Sequence, residues 1–258
     1  MNETGKKNNV LKSEAISNTI ELLHRRITER FPESGLASVC KQLHEIACNT
    51  TERAAWIEKP VEWLRVVVWC VSVLIVLVTI GAFAFLKRED SFNTVGHFFP
   101  MLEAVMNVVV LIGAAIFFLL TLEVRLKRQR ALNALHELRS VAHVIDMHQL
   151  TKDPEKIITK GNRTDSSPKM LMTQFQLRRY LDYCSEMLSL TGKVAAVYVQ
   201  HFDDGVALSS ASEVETLTTG LSRKIWQKIL ILHTFDEESE TSSKSPLKVS
   251  RPEEDQQT

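Results

Sequence analysis

Five side chains able to do chemistry sit close together in HELRSVAHVIDMHQLTKDP, residues 136–154. At about 100° per helical residue, His136, Arg139, Ser140, His143 and Asp146 fall within about 120° of one another. Imidazoles beside a carboxylate serve metal binding and general acid–base catalysis, and an Arg–His pair can act on a phosphodiester. The same stripe also fits a solvated or interhelical polar face, with His143 and Asp146 an ordinary i,i+3 pair. A seven-residue step sets the His136 and His143 imidazoles ~10 Å apart along a helix, too far to share one ion without another element. His136, Arg139, His143 and Asp146 therefore stand as a candidate functional stripe. No catalytic, cofactor-binding or metal role is assigned to them.

Other chemical signals are sparse. Arg130 and His136 fit the R-x5-H spacing, which resembles the short motif of HEPN ribonucleases. The chain lacks a glycine-rich phosphate loop, GxGxxG, GxSxG and HExxH, and its nine glycines are not clustered. Nucleotide hydrolysis and dinucleotide binding are not expected. The acidic pairs Asp203-Asp204 and Glu237-Glu238 are expected to be solvated. Lys and Arg total 31, as do Asp and Glu, so no global field recruits nucleic acid directly. Cys40, Cys48, Cys70 and Cys184 show no zinc or redox spacing, so neither disulfide nor structural zinc is expected. An enzyme is not expected, nor is a cofactor.

The elements that must carry these residues are helices, two of them for lipid. Residues 66–86 and 104–122 contain no charged side chain. At ~1.5 Å per residue each can cover a ~30 Å hydrocarbon core. The spans are set at about 66–86 and 102–122, within a region 61–124, with an external loop at 87–100. The first begins too deep in the chain for a signal peptide. Only Lys87 and Arg88 lie in the loop, whereas Arg53, Lys59, Arg65, Arg125, Lys127, Arg128 and Arg130 flank the spans on the other side. The positive-inside rule then makes both termini cytoplasmic in a multi-pass inner-membrane protein. Trp56, Trp63 and Trp69 lie where indoles favour headgroups. Asn107, Gly113 and Ala114 are the candidate helix-packing residues in the bilayer, because small side chains allow close approach and an amide can bond across an interface. No ionisable side chain lies deep in either span, which argues against a proton-coupled transporter.

The flanks are amphipathic. In region 1–60, Ile16, Ile20, Leu23 and Ile27 give one helix, stopped by Phe31-Pro32. Leu36, Val39, Leu43, Ile46, Ala47 and Ala54 give a second, with Ser34 as N-cap. Pro60 suits the first turn of the first span. No Gly or Pro occurs from 114 to 153, so the second span is expected to continue as a stalk over 125–150, with Ala131, Ala134, Leu138, Val141, Ala142 and Ile145 inward. Residues 151–172 form a polar linker. The helical region 173–234 holds a seam of Leu177, Leu181, Cys184, Leu188, Thr191 and Ala195, then a helix over 211–233 with Val214, Leu217, Leu221, Ile225 and Ile229. From 235 to 258 an acidic, disordered tail is expected. The fold class is all-α: a two-helix transmembrane hairpin with helical cytoplasmic N- and C-terminal regions.

This plan resembles the two-transmembrane effectors of bacterial anti-phage systems, SLATT-type proteins and the membrane effector associated with certain retrons. The resemblance covers residues 14–233 loosely. The segments LLHRRITERFPESGL, VAHVIDMHQLTKDP and RRYLDYCSEMLSLTGK are similar to those of widespread bacterial membrane proteins. It implies a toxin-like antiviral effector that oligomerises and disturbs the inner membrane. A cytoplasmic partner such as a reverse transcriptase–nucleic acid complex or a nucleotide-signal sensor would restrain or trigger it. The alternatives are a non-toxic membrane scaffold or signalling adaptor, and a membrane-anchored HEPN-like ribonuclease.

Overall fold

A computed structural model describes residues 11–59, 62–88, 98–154 and 172–243. Most of the expected external loop, much of the linker, Pro60 and the end of the tail lie outside them. Seven helices account for the described chain, with no strand among the described residues: α1 (Ser13–Arg30), α2 (Gly35–Cys48), α3 (Thr50–Glu58), α4 (Glu62–Arg88), α5 (Phe98–Leu150), α6 (Gln174–Val199) and α7 (Gly205–Ser243). The chain divides into two compact units.

The first unit takes the chain up to Thr50, His136–Val197 and the part from Ala211 onward. The i, i+3, i+4 spacing of apolar residues places one face of each helix inside. On α1, Ile20, Leu23 and Ile27 are fully buried, α1 packs on α2, and Leu36, Val39, Leu43 and Ile46 of α2 are buried. Leu138, Val141, Ala142 and Ile145 of α5 are buried, as are Val214, Leu221, Ile225 and Ile229 of α7. Every residue of the α6 seam is 0% exposed, Leu177 through Ala195. The seam is thus covered by this chain's own helices. The α1–α2 corner has a local cause: Pro32 follows Phe31, and Ser34 Oγ accepts from Ala37 N at 3.4 Å as N-cap. Phe31 then stands edge-on to the Tyr180 and Tyr183 rings of α6. Gly35 gives room for His148, whose Cε1 lies 2.5 Å from where a β-carbon would stand. Burial and the nearby Lys152 ammonium lower the His148 pKa.

Two boundaries depart from expectation. The second apolar stripe breaks at Asn49 instead of running to Ala54, which is only half-buried. Asn49, Thr50 and Thr51 are side chains that compete for backbone hydrogen bonds, and the Thr50 hydroxyl donates to Ile46 O at 2.9 Å. The last helix starts at Gly205 and ends at Ser243, so it begins before 211 and enters the tail expected to be disordered.

Cysteines fall into two classes. Cys40 and Cys184 are 0% exposed, and burial pushes each thiol up to about 12. Cys48 and Cys70 are exposed.

The second unit holds residues 51–135 and 198–210. Its apolar surface faces outward. Trp69 is 72% exposed, Leu77 61%, Leu111 73% and Phe117 72%. α4 and α5 each contain an 18-residue window long and apolar enough to cross a membrane, and only 6% and 0% of these windows is buried. The core helix of a water-soluble protein has the same composition but is mostly covered. One side of each helix is half-covered: Val68, Val71, Ser72 and Ile75 on α4, and Ile112, Ala115, Ile116 and Leu119 on α5. Both sets repeat at i, i+3, i+4 and i+7. Val76–Ile80 and Met106–Leu111 are exposed on every side.

Candidate functional site

The polar stripe lies on α5 where sequence spacing puts it, on the side away from Leu138, Val141 and Ile145. His136, Ser140 and His143 are exposed. Arg139 donates to Glu213 Oε2 of α7 at 2.5 Å, a pair open to solvent on both sides. Such a pair contributes at most about 1 kcal/mol. Asp146 is engaged by Gln149 Nε2 at 2.6 Å, a contact one turn further along the helix. Lys228 of α7 adds a second tie, its Nζ donating to Gln149 Oε1 at 2.7 Å and to the carbonyls of Gln149 and Lys152 at 3.0 and 3.3 Å. It thereby satisfies carbonyls that the end of α5 leaves open. Among the described residues, no three His, Cys, Asp or Glu side chains gather to hold a metal ion.

His136→Ala and His143→Ala should therefore be mild. Each should change stability by no more than about 0.5 kcal/mol, as exposed positions do. Growth phenotype and membrane level should match wild type. Loss of phenotype at normal level would make the stripe chemical, with Arg130→Ala the next variant.

Arg130, the other half of the R-x5-H spacing, is committed elsewhere. Its guanidinium stacks 4.2 Å from the Trp56 ring centroid and donates to the carbonyls of Trp56 at 3.1 Å and Lys59 at 3.5 Å. Trp56 lies in the last turn of α3 and Lys59 just past its end, where carbonyls have no intrahelical partner of their own. Indole and guanidinium together fix the chain before α4.

Sequence reasoning missed the best-formed polar contact of the second unit. Asp204, expected to be solvated, has a side chain only 6% exposed. Arg128 grips it in a fork: Nε reaches Oδ1 at 3.0 Å and Oδ2 at 3.1 Å, and a terminal nitrogen reaches Oδ2 at 2.8 Å. Oδ1 also accepts from Ala207 N at 3.0 Å, which makes Asp204 the N-cap of α7. The Arg128 hydrogen bonds hold the Asp204 carboxyl below the usual carboxylate range and raise Arg128 above its own. A cue was present: an Asp immediately before Gly-Val-Ala-Leu reads as an N-cap once the helix is started at 205. Nothing in the sequence tied that cap to Arg128, which had counted only as a positive flank.

Asn107, Gly113 and Ala114 are all exposed. A β-carbon built on Gly113 meets nothing within 4 Å. Among the described small residues of this stretch, Ala115 is the half-covered one.

The chain matches no protein-family profile, no curated protein and no solved structure.

Proposed function

We propose that this is an integral protein of the bacterial inner membrane, spanning it twice as a hairpin of α4 and the first part of α5 with both termini cytoplasmic. We propose further that it is an antiviral effector that disturbs the bilayer when a cytoplasmic partner triggers it. The observation that carries the membrane reading is the bare apolar surface of the two helices, 6% and 0% buried over their windows. Water does not tolerate two such surfaces on one chain, whereas hydrocarbon favours them. The half-covered stripes on α4 and α5 support the hairpin, since each is the width that one neighbouring helix hides. The excess of Lys and Arg on the flanks over the loop supports the orientation. The effector role rests on the resemblance to two-span defence proteins.

Induced expression without restraint should collapse the inner-membrane potential and stop growth within the induction period. A potential-sensitive dye read beside optical density checks it, with and without phage infection. If the potential holds in every condition while the protein is present in membranes, the effector role falls and a signalling adaptor takes its place. One feature favours that second role. Phe175 is 59% exposed, with the Arg30 and Arg179 guanidinium groups 5.4 and 5.7 Å from its ring centroid. Exposed aromatic and arginine side chains are what protein partners anchor on.

A further inference from the structure

The charge-free stretches and their edges hold four hydrogen-bonding side chains of the hydroxyl and amide type: Ser72, Thr79, Asn107 and Thr121. Three serve themselves. Ser72 Oγ donates to Val68 O, Thr79 Oγ1 to Ile75 O and Thr121 Oγ1 to Phe117 O, each at 2.8 Å. Each hydroxyl spends its one proton on its own helix four residues back, so lipid meets no bare donor. Asn107 is different. Its carboxamide carries two N–H donors and an acceptor. It is exposed, and no partner for it occurs among the described residues. It also lies in the stretch where α4 covers nothing, since Met106–Leu111 is exposed on all sides.

We infer that Asn107 pairs with Asn107 of a second copy of this chain inside the bilayer. A carboxamide is its own complement: one side's N–H meets the other's C=O in both directions. An unpaired amide in hydrocarbon is costly, and interhelical amide pairs are a known way to satisfy it. The register follows from the helix. At about 100° per residue, Asn107, Ala114 and Thr121 recur at seven-residue steps and drift only about 40° along one line. Ala114 is exposed and small at the middle of that line, so it lets two backbones approach. Gly113 stands about 120° round the helix from Asn107 and lies off the contact. The half-covered Ile112, Ala115, Ile116 and Leu119 face another way, so the contact between copies leaves the hairpin intact. The buried α6 seam plays no part. This inference rests on the membrane reading above and names the surface through which the copies meet.

Two differently tagged copies, each with exposed Cys48 and Cys70 changed to serine, are co-expressed, and a single cysteine is placed in the span. Ala114→Cys should give a copper-phenanthroline-dependent dimer carrying both tags, and Ile116→Cys should not. Adding Asn107→Leu should cut that dimer several-fold, the scale of one interhelical hydrogen bond in lipid, while Asn107→Gln should keep it. An alkaline carbonate wash of the same membranes separates the two ideas. Protein that stays in the pellet but crosslinks no better at Ala114→Cys than at Ile116→Cys overturns the pairing alone. The same holds if Asn107→Leu crosslinks like its parent, or if Ala114→Cys joins a different protein. Protein that washes out overturns the membrane reading and the pairing with it.

Discussion

Leu111→Arg should keep the protein out of the membrane. Leu111 is 73% exposed and stands near the middle of the second span. If that surface met water, arginine there would be almost neutral, within about 0.5 kcal/mol, and would aid solubility. In hydrocarbon the sign reverses. Arginine at a helix centre costs about 3 kcal/mol for insertion and forfeits the roughly 0.5 kcal/mol that leucine gains. The inserted-to-excluded ratio should then fall by more than about 100-fold. The measurement is the carbonate-resistant share of protein, normalised to total expression. Arg125→Leu at the helix's polar end serves as the contrast, because it alters charge outside the charge-free stretch and leaves the Asp204 fork alone. A carbonate-resistant share that is the same for wild type and Leu111→Arg would rule out two spans and leave the bare surfaces needing another cover.

Asp204→Ala should loosen the second unit more than any other single polar change. It removes an N-cap, worth about 1 kcal/mol, and strands the Arg128 guanidinium that three hydrogen bonds now hold. The cap alone predicts a Tm drop of roughly 2–4 °C for a chain of this size, and the lost fork adds to it. Asp204→Asn separates the parts, since asparagine caps as well as aspartate but carries no charge. A pH series gives a second handle. Asp204 has a lowered pKa in the folded protein, so its contribution is complete above the unfolded carboxyl value of ~4 and disappears as pH falls below it. Wild type should lose Tm in acid more steeply than Asp204→Asn. Thermal melts in mild detergent at neutral and acid pH give both results. A melt of Asp204→Ala that overlays wild type would show the fork to be dispensable.

Much of the fold was legible because burial in this chain follows the helical period. Ile16, Ile20, Leu23 and Ile27 are all inside, as is the whole seam from Leu177 to Ala195. The unbroken α5 followed from the missing Gly and Pro. The seam's partner could not be read, because an apolar stripe does not say whether its cover belongs to the same chain. Nor could the far end of α7. Asp236–Ser243 is polar all round and has no period to detect, yet adding turns to an existing helix avoids the cost of starting one. The candidate stripe lies on α5 with His136, Ser140 and His143 exposed, and its chemistry was not decidable from spacing. Arg139 turns out to be occupied by Glu213, a contact that only the packed helices create, and Asp146 by Gln149, one turn along its own helix. Asp204 failed for a similar reason: a carboxylate in a turn looks solvated until a side chain 76 positions away in sequence reaches it.

The two thiols at Cys40 and Cys184 give the first unit a built-in stopwatch. Alkylating reagents need thiolate, and a thiol held at about 12 supplies almost none at neutral pH. Each becomes reactive only when its surroundings open. Cys40 reports on α2 and Cys184 on α6, so labelling rates followed by mass spectrometry read the opening of the two helices separately. The exposed Cys48 supplies the internal reference for reagent delivery. Equal rates at Cys40 and Cys184 would mean that α2 and α6 come apart in one cooperative event, and unequal rates would rank them, with no residue changed in the chain.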